Sequence, residues 1–253
     1  MRRLIIGDTH GNGTVRDIYE YENPDEVIIL GDYFDSFTLS PIVQKLHFKD
    51  ILELREEHLK TKKGKFILLL GNHEYHYLRN TMEMYTGYND ETAGLITLLL
   101  EDLIEKNIIQ ICYIDIINRI IFSHAGVTNT WFNKYCESLD DINNVNYEAL
   151  RFVNKGSNNL QFDGDTPYNS PIWVRPNSLY ADCYTDKDGI IWNQIFGHTH
   201  NECIKPYYID NEDDYDKNAY LFNIDCFPNG YLIQEINDAD GKLKFNDFCD
   251  VNY

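Results

Sequence analysis

The chain has 253 residues, 43% of them hydrophobic, and a formal net charge of −19. That length allows one large domain or two small ones with a sizeable core. The acidic balance argues against a nucleic-acid polymer as partner, because little basic surface would neutralise its phosphates. No apolar run reaches the ~18–20 residues a membrane helix needs.

The first predicted strand, Leu4–Ile6, begins almost at Met1 and stops at Gly7, with Asp8 and His10 following. Val27–Leu30 is a second apolar run, ending in Gly31, Asp32 and, three residues on, Asp35. Ser40 and Pro41 form an N-cap and first-turn proline. They open a predicted helix to about Lys60 with Ile42, Val43, Leu46, Ile51, Leu52 and Leu54 at helical spacing. Phe66–Leu70 is a third strand, running into Gly71-Asn72-His73-Glu74, and Thr92–Lys106 is a second helix.

Arg119–Phe122 ends in Ser123-His124, and Ile190–Phe196 ends in Gly197-His198-Thr199-His200. Short apolar runs of this kind fit buried strands. Between them, residues 129–188 are rich in Asn, Asp and aromatics with weak periodicity. They read as helices and loops inserted over a site, within one domain spanning 1–253. Tyr220–Ile224 and Tyr231–Ile236 are strand-like, and Asp240-Gly241 suggests a hairpin into Leu243–Phe248. Strands alternating with helices, then a strand-rich tail, imply an α/β sandwich.

Five strand ends therefore carry metal-capable residues: Asp8/His10, Asp32/Asp35, Asn72/His73, His124 and His198/His200. Functional groups collect at the carboxyl ends of strands in open α/β sheets. Side by side, these ends hold too many ligands for one metal. They suit two divalent cations about 3.5–4 Å apart sharing a carboxylate. Hard oxygen and imidazole donors without thiolate favour Mn²⁺, with Fe or Zn²⁺ as alternatives.

The blocks GDTHG, GDYFD, GNHE, SHAG and GHTH resemble, in order and spacing, the signature of the calcineurin-like metallophosphoesterases. Within that superfamily the chain looks most like the serine/threonine phosphatase branch, including bacterial and phage members. IWVRP (172–176) resembles the W-x-R segment of the phage type, and NIDCFPNGYLI (223–233) its late strand pair. The resemblance implies an αββα sandwich of two mixed β-sheets flanked by helices. It implies hydrolysis of a phosphorylated substrate, phosphoprotein or nucleotide, by direct attack of a metal-bridging hydroxide.

Carried over, Asp8 and His10 bind the first metal, Asp32 bridges, and Asn72, His124 and His198 complete the second. His200 stands where the wider superfamily places a further ligand. His73 is the general acid, Asp35 orients it, and Arg175 clamps phosphate. The branch's GDxVDRG block departs here: Ser36 and Phe37 replace its arginine and glycine. One phosphate grip is missing or comes from elsewhere, such as Arg79, which leaves room for nucleotide or diester substrates. A binding scaffold is the non-enzymatic alternative, although every ligand position is filled.

Plainer readings stand beside these. A lone Gly-Asp or Gly-Asn is usually a turn. His47, His58 and His76 lack motif context and read as structural or solvated. Asp186–Gly189 reads as a tight turn, and Asp210–Asp214 as a solvated acidic loop. Trp173, Tyr180 and Tyr184 either line a groove or pack the insertion. The six cysteines show no C-x-x-C pair and no secretion signal precedes them, so reduced thiols in a cytoplasmic protein are expected.

Overall fold

A computed structural model describes residues 1–79, 86–143, 160, 164–209, 219–236 and 243–249. Chain order gives strand β1 (Arg2–Ile6), helix α1 (Val15–Glu22), β2 (Glu26–Ile29), α2 (Pro41–Thr61), β3 (Phe66–Leu69), α3 (Asn72–Arg79), α4 (Asp90–Glu105), β4 (Ile109–Gln110), β5 (Cys112–Asp115) and β6 (Ile120–Ser123). Then follow α5 (Asn129–Tyr135), α6 (Pro176–Ala181), β7 (Asn193–Phe196), β8 (Lys205–Ile209), β9 (Ala219–Asn223), β10 (Gly230–Ile236) and β11 (Leu243–Cys249).

The strands form two mixed sheets, in the orders β11-β10-β1-β2-β3-β4 and β5-β6-β7-β9-β8. In the first, β1 to β4 run parallel and β10 returns antiparallel beside β1. In the second, β6, β7 and β9 run parallel between antiparallel edges.

Alternation along each strand sorts side chains between layers. Ile5, Ile28, Leu30, Leu69 and Leu232 of the first sheet meet Ile120, Phe122, Ile195 and Phe222 of the second. Leu4, Ile6, Val27, Ile29 and Leu68 point the other way, onto Ile18 of α1, Phe48 and Leu54 of α2, and Leu100 of α4. Phe196 and Leu221 cover the far face of the second sheet with Leu179 of α6. Each such fully buried aliphatic is worth ~1.5–3 kcal/mol against exposure. The layers are those of an αββα sandwich, as expected.

Some details differ from the expected ones. On α2 the buried face is Gln44, Phe48, Ile51, Leu54 and His58. Ile42 and Leu46 instead stand 70% and 58% exposed, because the helix turns its Phe48 stripe to the sheet. The seventh strand starts at Asn193 rather than Ile190. Asp186 takes the preceding residues into a turn, accepting the Asp188 and Ile190 N–H groups. Ser40 does cap α2 and accepts the Val43 N–H. β10 and β11 pair as predicted, although Asp240-Gly241 between them and the Asp210–Asp214 stretch lie outside the described residues. Cys112, Cys136, Cys183, Cys203 and Cys226 form no disulfide. Among the described residues no helix is long and apolar enough to cross a membrane.

Candidate metal centre

The carboxyl ends of β1, β2 and β3 lie side by side in one sheet, and those of β6 and β7 in the other. The turns leaving them converge. The His10 N–H donates to the Asp32 carbonyl at 2.7 Å, and the Gly197 N–H to the His124 carbonyl at 2.7 Å. The His124 Nδ1 lies 3.1 Å from the Leu30 carbonyl, joining the two sheets at the site.

The glycines before the functional residues have a steric reason. A Cβ on Gly71 would lie 2.0 Å from Asp32 Oδ1, and one on Gly197 would lie 2.2 Å from Asp8 Oδ1. Only hydrogen leaves room for the two carboxylates. The backbone is bent hard as well: His10, Asp32, Asp35 and His198 all adopt positive φ, 42° to 68°. Non-glycine residues hold that region only where the surroundings enforce it, commonly at functional sites.

Asp8, Asp32 and His124 bring ligand atoms within 4.8 Å of one another, all buried. Asp32 Oδ2 lies 3.5 Å from His124 Nε2, 3.9 Å from His10 Nε2 and 3.9 Å from His73 Nε2. Asn72 Oδ1 is 2.9 Å from His124 Nε2 and 2.8 Å from His198 Nδ1. The His198 N–H donates to Asp8 Oδ2 at 3.0 Å. The structure thus gathers Asp8, His10, Asp32, Asn72, His73, His124 and His198 around one point. His200 is exposed.

Electrostatics follow from this crowding. Burial raises Asp8 well above the usual carboxylate range, and the nearby Asp225 and Asp32 charges add to it. Burial also works against Asp32, but His124, His73 and His10 outweigh it and hold that carboxyl low. Burial pushes His198 well below its ordinary value, helped by His124. Two inward carboxylates beside low-proton-affinity imidazoles are a donor set for cations. The Nε2 of His198 is buried with no hydrogen-bond partner among the described residues, as a ligand atom would be. The residues fit divalent metals.

A second cluster adjoins the first. His73 Nδ1 and His76 Nε2 each lie 2.8 Å from Asp35 Oδ2, and the Tyr77 hydroxyl donates to Asp35 Oδ1. Burial opposes the Asp35 charge, but these hydrogen bonds outweigh it and lower its pKa. Burial likewise opposes protonation of His73, and the Asp32 charge and the Asp35 bond overcome it, raising His73 to about 9.

Arg175 donates to the His198 carbonyl at 3.2 Å and Thr199 Oγ1 at 3.1 Å, which places its guanidinium beside the centre. Trp173 stands edge-on to His198 at 5.5 Å, and Tyr180 stacks on Tyr207 at 4.1 Å. Trp173 and Tyr184 are buried core residues. The side chain of Arg79 is outside the described residues.

Three residues in or near the site carried no functional expectation. Glu74 is fully buried and accepts the N–H groups of Asp32, Tyr33 and Gly71. The GNHE block contains it, and its place in that block was the available signal. His47 Nδ1 bonds the Gly11 carbonyl and so holds the turn bearing His10. Asp225 is buried behind Gly7, whose Cβ would lie 3.3 Å from the Asp225 Cα.

An αββα sandwich with two carboxylates, an amide and imidazoles gathered at its strand ends defines a metal-dependent phosphoesterase. The family model for calcineurin-like phosphoesterases matches residues 1–202, and the chain belongs to that family. No curated protein matches the chain. Members of the family are hydrolases that depend on a dinuclear metal centre, and they act on phosphate esters.

Proposed function

We propose that the chain is a phosphatase of the serine/threonine type that works with two Mn²⁺ ions. The observation that supports this most directly is the adjoining of two clusters: a cation-binding set around Asp32 and a carboxylate-oriented imidazole, His73, with its Nε2 3.9 Å from that same Asp32. In this reading Asp8, His10 and Asp32 hold one ion, and Asp32, Asn72, His124 and His198 the other, with His200 beside the first. When bound, the ions neutralise phosphate oxygens and lower the pKa of water.

The chain's own side chains do the rest. Asp35 accepts the Nδ1–H of His73 and fixes the tautomer, so Nε2 carries the proton delivered to the leaving oxygen. Arg175 offers its remaining N–H groups to phosphate oxygens. The described parts of the segment from about 129 to 188 roof the site within one domain, a reading supported by Trp173 against His198.

A second reading, a nucleotide hydrolase or phosphodiesterase, is favoured by one observation. Ser36 stands where the branch has arginine, and its hydroxyl accepts the N–H groups of Thr38 and Leu39 instead of offering a cation. Rates with Mn²⁺ on p-nitrophenyl phosphate against its bis ester, then on a phosphopeptide against a dinucleoside polyphosphate, separate the two. Faster monoester and phosphopeptide turnover supports the phosphatase; the reverse order replaces it with the second reading.

A further inference from the structure

We propose that His76 and Tyr77 are positioning residues for the acid His73, acting through Asp35. The proposal rests on the reading of His73 as proton donor. The three side chains recur at spacings of three and four along α3, which puts them on one face of the helix. All three reach a single carboxylate. An ionised carboxylate only accepts hydrogen bonds, so the His73 nitrogen and the phenol donate to it, while His76 Nε2 faces Oδ2 as a close ion-pair contact at 2.8 Å.

The direction of the phenol bond is fixed a second time. The Asn89 N–H donates to the Tyr77 oxygen at 3.3 Å, which occupies a lone pair and leaves the hydroxyl proton for Asp35. Asn89 is itself the N-cap of α4 and accepts the Thr92 N–H. The start of α4 therefore braces Tyr77, Tyr77 and His76 brace Asp35, and Asp35 braces His73. Rings close the cluster: Tyr88 stacks on Tyr77 at 4.9 Å, and His76 stands edge-on to Tyr77 at 4.8 Å. A Cβ on Gly87 would lie 2.9 Å from the Asp35 Cβ, so the backbone also closes on it.

The physical need is specific. Asp35 sits at φ 66°, on a turn just past β2, where its carboxylate could rotate. With His73 alone on Oδ2, rotation about the terminal torsion of Asp35 would swing the imidazole. Donors on both oxygens remove that freedom. His76, at 0% side-chain exposure, and Asp35, at 1%, are shielded from water, so no solvent molecule replaces a lost donor without cost.

The test compares two substrates with Mn²⁺: phenyl phosphate, whose leaving oxygen needs a proton, and p-nitrophenyl phosphate, which needs it much less. His76→Ala and Tyr77→Phe are expected to lose roughly 10- to 100-fold in kcat on phenyl phosphate. They should lose far less on p-nitrophenyl phosphate, with KM and bound manganese unchanged. His76→Gln, which keeps a donor near the Nε2 position, is expected to recover most of the loss. In metal-free protein, NMR should show the His73 Nδ1–H resonance broadened in Tyr77→Phe and sharp in the parent.

Equal losses on both substrates, or none, in a folded Tyr77→Phe variant overturn the proposal. His73→Asn is the control for the acid itself. If it shows the leaving-group dependence while Tyr77→Phe and His76→Gln do not differ as stated, the bracing role fails and the acid stands. If His73→Asn lacks that dependence, the acid reading fails, and this proposal with it.

Discussion

Glu74 holds Asp32 by the backbone: its Oε2 accepts the Asp32 N–H at 2.8 Å, while Oε1 accepts the N–H of Tyr33 at 2.7 Å. One carboxylate from the start of α3 thereby closes the turn after β2, and it accepts the Gly71 N–H as well. The arrangement sets a buried carboxyl group behind the carboxylate expected to be shared by two cations. Burial, with the Asp32 charge added, raises Glu74 to about 8. Removing it would leave three buried N–H groups without an acceptor. Glu74→Ala is expected to lower stability by about 2–4 kcal/mol, readable as a shift in urea midpoint at constant m-value. A loss under about 0.5 kcal/mol would mean water satisfies those groups.

The metal-free protein should grow less stable as pH rises. His73 has a folded pKa raised to about 9 from 6.5, so its contribution is full below 6.5 and is lost as pH climbs through 9. Glu74, raised to about 8 from 4.5, has the same sign, its contribution being lost as pH passes 8. Each such group steepens the decline by at most about 1.4 kcal/mol per pH unit. Urea melts in chelator at pH 6.5, 8 and 9.5 check this. The expected decline should shrink in Asp35→Asn, which removes one of the acidic groups that keep His73 protonated. A flat or rising profile would contradict the charge balance drawn for the site.

How much of this was legible in the sequence depends on the distance over which each residue acts. The apolar runs ending in Gly-Asp, Gly-Asn and Gly-His mark strands and their carboxyl ends locally, so Asp8, Asp32, Asn72, His124 and His198 could be read off directly. Gly71 and Gly197 show why that signal is strong: each is glycine because a distant carboxylate fills its Cβ position. The outward turn of Ile42 and Leu46 was not legible, since apolar residues at helical spacing do not say which stripe meets the sheet. His76 and Tyr77 were hidden for another reason. Their partner Asp35 lies about forty positions away (42 for Tyr77), and only the fold brings them together.

Metal content separates the ligands by their places. The parent is expected to carry about two manganese ions per chain after loading and desalting. His198→Ala, which removes one imidazole from the Asn72 and His124 side, should retain about one. Asp32→Ala, which removes the shared carboxylate, should retain almost none. Bound metal stabilises the fold, by about 2.7 kcal/mol when free metal is a hundred times its dissociation constant. Chelator should therefore lower the melting temperature of the parent and leave Asp32→Ala unchanged. Equal metal in parent and Asp32→Ala would refute the shared-ligand arrangement.

Ser36 offers a test of substrate preference by addition rather than removal. The residue lies one position past Asp35, and its hydroxyl accepts the Thr38 and Leu39 N–H groups at 3.3 and 3.2 Å. Phe37 beside it is 74% exposed, so a long side chain at 36 has open space nearby. Ser36→Arg would supply a guanidinium close to His73 and the metal cluster, at the cost of the loop's two hydroxyl contacts. A dianionic monoester carries more charge at the transferring phosphoryl group than a diester does. The added cation is therefore expected to raise kcat/KM on p-nitrophenyl phosphate about 3- to 10-fold while leaving the bis ester nearly unchanged. The rise should shrink with added salt if the guanidinium is solvated, and persist if it grips phosphate directly. No gain on the monoester, in a variant that keeps its manganese and its melting temperature, would show that the missing arginine does not limit monoester turnover and that Arg175 suffices as the clamp.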